Sequence, residues 1–495
     1  MTWDFWNSLG DKSKGKFGNT RSSDLFDGHF SKEQFSDLRA FTFFSQLYKT
    51  ALPERFYEQN GFAIGFQFPG GRIIYLLFEF FQRHLALIGK TRSGKTTFLL
   101  SLILFIFYLA NSVLVVIDRG DLISSLLKRI DRRFEDIILV RVSDTDYPVS
   151  INLLQLAHYK TELIINEIIR MLNLIASEKL TDRMVMLLRK CILALLYLPG
   201  ATLADIEPFL FNEAFRNQVL SKVNDPELVH FWRWRYLKDE KIYRSSAEGI
   251  ITRLWQIIGD PFARRMLCQK QTRIPFEEII NGERFPILLL DLNSDGKVSS
   301  LVGDVIARVF LIIIHSLALS RAFHNAKPIF IFADEIQTYF EPSTLSEILA
   351  RGAKHKVHLA CAFQYIDQLG SLWSAVDGNA AATIAFTAGA EDAQRLAKSF
   401  PGIMPSEFVE LPRFQAFVRI NDDQGTWQFK IKTFPPPEAH MDFQSQIIQL
   451  SRIKYARSLA EVEADFQTRR EEVLSQDKKW NTKPTEFEEN IEPLI

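Results

Sequence analysis

The stretch from Leu85 to Leu100 reads LALIGKTRSGKTTFLL, and its two ends follow different patterns. Leu85–Ile88 is a short apolar run of buried-strand length, and from Phe98 the apolar residues continue as a helix. Between them Gly89, Lys90, Thr91, Arg92, Ser93, Gly94, Lys95 and Thr96 match G-x-x-x-x-G-K-S/T. Strand, glycine-bounded loop and helix, in that order, are what a phosphate-binding loop requires. Glycine lets the backbone curl until successive N–H groups face phosphate oxygens, and the helix N-terminus adds the positive end of its dipole. In this arrangement Lys95 reaches the β- and γ-phosphates, the Thr96 hydroxyl ligates Mg²⁺, and residues 89–97, Thr97 included, line the nucleotide.

Composition bounds the rest. A chain of 495 residues is too long for one core, so two or three domains are expected. With 47% hydrophobic and 24% charged residues it is an ordinary globular protein, and its 42 phenylalanines point to well-filled apolar layers. Formal net charge is +0, so any nucleic-acid surface has to be local. Cys191, Cys268 and Cys361 lie far apart in apolar runs and read as buried thiols of a reducing compartment. His355 and His358 are close but have no second ligand pair, which makes them structural or solvated. Residues 1–30 are polar and lack the apolar core of a secretory signal. Phe98–Val116 is uncharged and nearly long enough to span a bilayer, yet it starts at the phosphate loop and is broken at Asn111-Ser112. A buried helix feeding a buried strand accounts for it, and no integral membrane span is expected.

Outward from the loop, residues 1–55 read as an N-terminal arm with a short helix near Lys32–Leu47. A nucleotide-binding domain begins at 56 with a hairpin, Phe62–Phe68 and Arg72–Leu77 around Pro69-Gly70-Gly71. Strands Val113–Ile117 and Ile137–Val142 carry its first part to 150; the former ends in Asp118-Arg119-Gly120-Asp121, placed to face the nucleotide edge of a parallel sheet. From 151 to 275 period-3.6 patterns replace strand signals, as in Glu162–Leu174, Asp182–Leu198 and Ser245–Ile258, so an all-α domain is inserted here. Within it Phe231-Trp-Arg-Trp-Arg-Tyr236 alternates aromatic and basic residues, a pattern that a nucleic-acid surface would also show. On a helix Trp232 and Tyr236 share a face from which the arginines are absent, so packing is the expected role. The sheet resumes over 276–437, with apolar runs at Pro286–Leu292, Pro328–Ala333, Val357–Phe363 and Ala381–Phe386, and with the hairpin Phe414–Ile420 and Thr426–Ile431. Residues 438–495 form a charged tail, helical around Tyr455–Leu474.

Two strand ends narrow the chemistry. Asp334 follows an apolar run and is placed to hold Mg²⁺, and Glu335 can orient the attacking water as general base. Gln364 ends the next strand, where it can contact the γ-phosphate.

These segments together resemble the FtsK/HerA superfamily of ring-forming DNA-pumping ATPases, and within it the coupling proteins of type IV secretion and conjugation, TraG/TraD-like members included. The residues that carry the likeness are RHLALIGKTRSGKTT, VLVVIDRGDLISSLL, PVSINLLQ, PFARRML, PILLLDLNSDGK, FIFADEIQTYF, LACAFQYIDQL and AGAEDAQRLAKSF, from about Gly61 to Pro437. The resemblance implies an α/β, RecA-like P-loop NTPase sheet with an inserted all-α domain. It implies ATP and Mg²⁺ at Lys95 and Thr96, a Walker B pair at Asp334 and Glu335, and a sensor at Gln364. It further implies a homohexameric ring that pumps single-stranded DNA, with relaxase or other secretion-system proteins as partners and a cytoplasmic or peripheral location. Three positions depart from the family. No N-terminal membrane helix is visible. The turn after Ile117 is shorter than the usual Asp-Pro-His-Gly-Asp. The slot of the trans-acting arginine finger holds Ala353, followed by Lys354, so Arg351 becomes the first candidate, ahead of Arg264 and Arg265. Two other functions fit the same motifs: a HerA-like motor paired with a nuclease, and a nucleotide-gated docking platform that does not pump.

Overall fold

The computed structural model describes residues 52–481, apart from residues 60, 69–70, 110, 158–160, 176–177, 320, 322–325, 340–341, 371 and 440–441. The arm and the helix expected near Lys32–Leu47 lie outside the described residues. The chain forms two compact units. The first comprises the residues up to Val140, Phe276–Asn293 and Leu317–Leu450; the second comprises Arg141–Pro275, Ser294–Ser316 and the residues from Ser451 on.

The first unit is built on one sheet of eleven strands: β1 (Gly61–Phe68), β2 (Ile73–Leu77), β3 (His84–Ile88), β4 (Val113–Asp118), β5 (Ile137–Arg141), β6 (Ile287–Asp291), β7 (Ile329–Asp334), β8 (Val357–Phe363), β9 (Ala380–Ala385), β10 (Gln415–Asp422) and β11 (Gly425–Lys432). Their order across the sheet is β2-β1-β11-β10-β9-β3-β8-β7-β4-β6-β5. From β9 through β6 every pairing is parallel, whereas β2, β1, β11 and β10 pair antiparallel. The two kinds of strand follow from the sequence. Residues of β3, β4, β6 and β8 are buried throughout, which is why they read as unbroken apolar runs: helices cover both faces of a parallel sheet. The β10–β11 hairpin turns through Asp422-Asp423-Gln424-Gly425, with the Asp422 carboxylate accepting from the N–H groups of Gln424 and Gly425.

The phenylalanines fill the layer over this sheet. The ring of Phe62 lies 5.3 Å from Phe105, 5.8 Å from Phe98 and 6.4 Å from Phe81. Phe56 packs on Phe80, Trp427 and Phe429. Burying each such ring is worth about 2–3 kcal/mol, so this layer holds the hairpin β1–β2 against the helix that follows the phosphate loop. That helix, Lys95–Leu109, is buried along most of its length, and Val113 starts the strand after it. Among the described residues one helix, Ser300–Leu319, is long and apolar enough to cross a membrane, and 78% of its apolar window is buried inside the protein.

The second unit is helical. Thr161–Ile175, Asp182–Leu195 and Glu240–Ile258 occupy the three periodic segments. Side chains written into the sequence set the helix starts. Thr181 accepts from the N–H of Met184, Asn212 from that of Phe215, Asp225 from Glu227 and Leu228, and Asp260 from Phe262 and Ala263. Pro226 and Pro261 then occupy the first helical position, where the missing N–H costs nothing. The C-terminal helix Leu459–Asn481 belongs to this unit: Arg469 grips the buried Asp205 carboxylate through two nitrogens at 2.8 and 3.0 Å, and Arg265 donates to Glu463 at 2.6 Å.

Phe231–Tyr236 differs in one respect from the packing expected of it. The segment is a π-helix. Phe231, Trp232 and Tyr236 are buried, with the Trp232 and Tyr236 rings 4.8 Å apart, as expected. Arg233, Trp234 and Arg235 instead face solvent together.

Candidate functional site

The parallel strands end on one edge of the first unit. β8 lies between β3 and β7, and the register sets Asp334 opposite Ala362 and Asp118 opposite Asp291. The residues after β3, the end of β7, Gln364 just past β8, and the ends of β4 and β6 therefore share that edge, the usual ligand edge of an α/β sheet.

The loop of residues 89–96 is held from both sides. Gly89 donates to the Phe363 carbonyl and Lys90 to that of Thr387, while Phe414 donates to the Ser93 carbonyl at 2.9 Å. Both consensus glycines are sterically required. A Cβ on Gly89 would lie 2.6 Å from Phe386 Cβ. One on Gly94, whose φ is +111°, would lie 2.8 Å from the Phe414 ring and 3.2 Å from its backbone. Arg92 also has positive φ, at 65°, and its side chain is exposed. Lys95 begins the helix, so the first-turn N–H groups at Lys95, Thr96 and Thr97 have no intrahelical acceptor and are available to an anion.

Four sequence-predicted residues meet here. Lys95 Nζ is buried, 3.0 Å from Asp334 Oδ1 and 3.7 Å from Glu335 Oε1. The Thr96 hydroxyl donates to Asp334 Oδ2 at 3.3 Å. Glu335 adopts a left-handed backbone, φ 57° and ψ 46°, at the strand end, and its N–H donates to the Ala362 carbonyl. A non-glycine residue held in this conformation stores about 1 kcal/mol or more, and such strain is commonest at functional sites. The fifth, Gln364, is tied to the loop itself: the Thr91 hydroxyl donates to its Oε1 at 3.0 Å. Strand β8 thus carries a polar side chain directly onto the phosphate loop.

Two further residues belong to this edge. Asp118 is buried; its Oδ2 accepts from the Leu122 N–H at 2.9 Å. Burial pushes its carboxyl up to about 6, with the Asp334 charge adding to that and the Gly120 and Leu122 N–H groups opposing it. Tyr339, under the Arg119 guanidinium at 5.6 Å, has its phenol raised by burial. The sequence signalled Asp118 as a strand-end acid. Nothing in it pointed to Tyr339 or to Phe414.

The donor set suits nucleotide and Mg²⁺. Thr96 Oγ1 and Asp334 offer hard oxygen ligands, and the buried Lys95 ammonium, held here by the Asp334 and Glu335 carboxylates, is the cation a phosphate would engage. Among the described residues no cluster of three His, Cys, Asp or Glu forms an all-protein metal cage. The finger candidates have partners of their own. Arg351 ends helix Pro342–Arg351 with its side chain 70% exposed, 3.5 Å from Glu347. The next turn, Gly352–His355, is pinned: Arg321 donates to the carbonyls of His355 and Lys356, and a Cβ on Gly352 would lie 3.0 Å from the Val357 carbonyl oxygen. Arg265 is engaged by Glu463, and Arg264 lies over the Trp255 and Phe466 rings, both in the helical unit.

No family model matches the sequence, and no curated protein does. Solved structures match the fold. The plasmid coupling protein TrwB in complex with a non-hydrolysable ATP analogue superposes with a TM-score of 0.54 at 14% identity, over 78% of this chain and 94% of that one. TrwB in complex with ADP and Mg²⁺ gives 0.54 at 13%, over 79% and 93%. VirB4 of Thermoanaerobacter pseudethanolicus gives 0.53 at 14%, over 77% and 98%. The eleven-stranded sheet and the helical unit therefore form a RecA-like P-loop ATPase fold of the kind found in TrwB and VirB4.

Proposed function

We propose that this chain is an ATP-hydrolysing motor of the FtsK/HerA type that drives single-stranded DNA, with a relaxase or another secretion-system protein, into a type IV transfer channel. The observation that carries this reading is the convergence of Lys95, Thr96, Asp334, Glu335 and Gln364 on one sheet edge. The fold is shared with a coupling protein solved with ADP and Mg²⁺. TrwB and VirB4 resemble the chain to the same degree, so the comparisons support the motor class more directly than the coupling role.

In this reading residues 56–150 and 276–437 form the nucleotide-binding domain, 151–275 the inserted helical domain, 1–55 an arm and 438–495 the tail. The loop from Gly89 to Thr97 cradles the phosphates. Lys95 would leave Asp334 for the β- and γ-phosphate oxygens; Thr96 and Asp334 would hold Mg²⁺, which would supply charge neutralisation on those oxygens. Glu335 orients a water against the γ-phosphorus and takes its proton as the bond to the bridging oxygen breaks. Gln364 senses the γ-phosphate and, through Thr91, is linked to the loop. The working form is a homohexamer at the inner face of the membrane, with sites between subunits and Arg351 reaching the neighbour's phosphates.

The test is ATP turnover with and without single-stranded DNA at several salt concentrations, for the wild type and Glu335→Gln. DNA should stimulate the wild type, and the effect should fall with salt through counterion release. Glu335→Gln should still bind ATP while turnover drops roughly 10²-fold or more. Turnover at the wild-type rate in Glu335→Gln rejects the general base. Absence of stimulation at every salt concentration rejects the translocase and favours the docking platform.

A further inference from the structure

The solvent-facing side of the π-helix is a second feature, remote in sequence from the nucleotide site. Trp234 is 69% exposed, whereas most of the described aromatic side chains are buried. Arg233 and Arg235 flank it and are exposed; neither is engaged by a carboxylate within 4 Å among the described residues. Leu237 and Ile242 are 42% and 50% exposed, and Lys238, Lys241 and Arg244 are exposed beside them. Five cations and two acids thus fall between Arg233 and Arg244, in a chain whose overall charge is +0.

The fold holds this arrangement in place. Phe231, Trp232 and Tyr236 anchor the segment: Trp232 packs on Phe209 at 4.8 Å, and the Tyr236 hydroxyl donates to the Leu210 carbonyl. Those anchors leave three consecutive residues, Arg-Trp-Arg, outside. A π-helical run is itself uncommon and tends to accompany function. The exposed Trp234 ring lies 6.5 Å from the His230 ring, with 27° between their planes.

We propose that this surface binds single-stranded nucleic acid, with a base stacked on Trp234 and neighbouring phosphates held by Arg233 and Arg235. An indole flanked by guanidiniums matches the alternation of base and phosphate along one strand. The competing partner, an anionic bilayer, calls for a contiguous apolar face, and here Leu237 and Ile242 are separated by Lys238 and Lys241. Duplex DNA offers phosphates but no free base face. The inference deepens the translocase reading and rests on it for the identity of the polymer as the transported strand.

The experiment uses the full chain. A fluorescent thirty-nucleotide oligothymidine is titrated, by anisotropy, with the wild type, Trp234→Ala, Trp234→Phe, Arg233→Ala/Arg235→Ala and, as a control aromatic, Tyr197→Ala. Circular dichroism and melting establish that each variant is folded. Trp234→Ala should weaken binding about 5- to 100-fold, and Trp234→Phe should restore most of it. The arginine pair should lower the slope of log affinity against log salt by about 1.4. Tyr197→Ala should bind as the wild type does. Wild-type affinity in folded Trp234→Ala, with the wild type itself still binding DNA, overturns this surface and leaves the translocase reading standing. No DNA binding by the wild type overturns both. Trp234-dependent binding to phosphatidylglycerol vesicles, without Trp234-dependent DNA binding, assigns the patch to a membrane and overturns the proposal.

Discussion

Replacing Lys95 with methionine should destabilise the ligand-free protein as well as abolish nucleotide binding, and the structure sets the size of both effects. The Lys95 side chain is 5% exposed and that of Asp334 18%, with 3.0 Å between Nζ and Oδ1. At that distance and an effective dielectric constant of about 20, the attraction is roughly 5 kcal/mol before desolvation is counted. The cost of burying both groups and the partial exposure of Asp334 reduce the net value to about 2–3 kcal/mol. Methionine keeps most of the volume of the lysine stem and removes the cation nearest to Asp334 and Glu335. Unfolding of Lys95→Met should therefore come about 2–3 °C below the wild type. Asp334→Asn should cost a similar amount, because it strands a buried ammonium. In the double variant neither charge remains, and the loss should be smaller than the sum of the two by about 2 kcal/mol. ATP affinity should not recover with it, since the proposed phosphate cation and the proposed Mg²⁺ ligand are both gone. Thermal and urea unfolding of the four proteins, with ATP titrations in parallel, measures the cycle. Additive single losses, or a Lys95→Met protein that melts with the wild type, would show that the ion pair is not part of the resting site.

Two other outcomes follow. Burial lowers His84 to about 4 and His358 to about 3 from an ordinary 6.5; the unfolded chain takes up these protons first, so the stability they contribute is full above pH 6.5 and is lost as pH falls toward 4 and 3. At pH 5 the loss is about 2 kcal/mol per imidazole, and urea midpoints at pH 7.5 and 5 for the wild type and His84→Gln/His358→Leu should show the dependence flattened in the variant; an unchanged dependence would locate the titration elsewhere. Arg351→Ala subunits should be inactive alone and regain some turnover when mixed with Lys95→Ala subunits, because one chain then supplies an intact loop and the other an intact finger; full activity of Arg351→Ala alone removes Arg351 from the site.

Much of the first unit could be read locally. A parallel strand covered on both faces must be apolar throughout, so β3, β4, β6, β7 and β8 declare themselves by composition. The loop declares itself because its glycine spacing answers a local backbone demand, the positive φ at Gly94. The strand order could not be read, because apolar runs of equal length carry no record of their neighbours. For the same reason the contacts that bind the site together were out of reach. Thr91 meets Gln364 across 273 residues and Phe414 meets Ser93 across the sheet, each through pairing between segments that look unremarkable alone.

In the helical unit the period of Phe231–Tyr236 reads correctly: Trp232 and Tyr236 share one buried face, as packing requires. The period does not say what the three remaining residues do. A tryptophan left in water forgoes about 2–3 kcal/mol of burial, and the neighbouring π-helical turn is a poorer backbone than the α-helix it interrupts. Phe231, Trp232 and Tyr236 are buried on either side of Trp234 in sequence, and the Arg-Trp-Arg triplet stays outside. Anchoring and display are thus two faces of one six-residue segment: the buried ring cluster fixes the backbone, and the fixed backbone presents one indole between two guanidiniums.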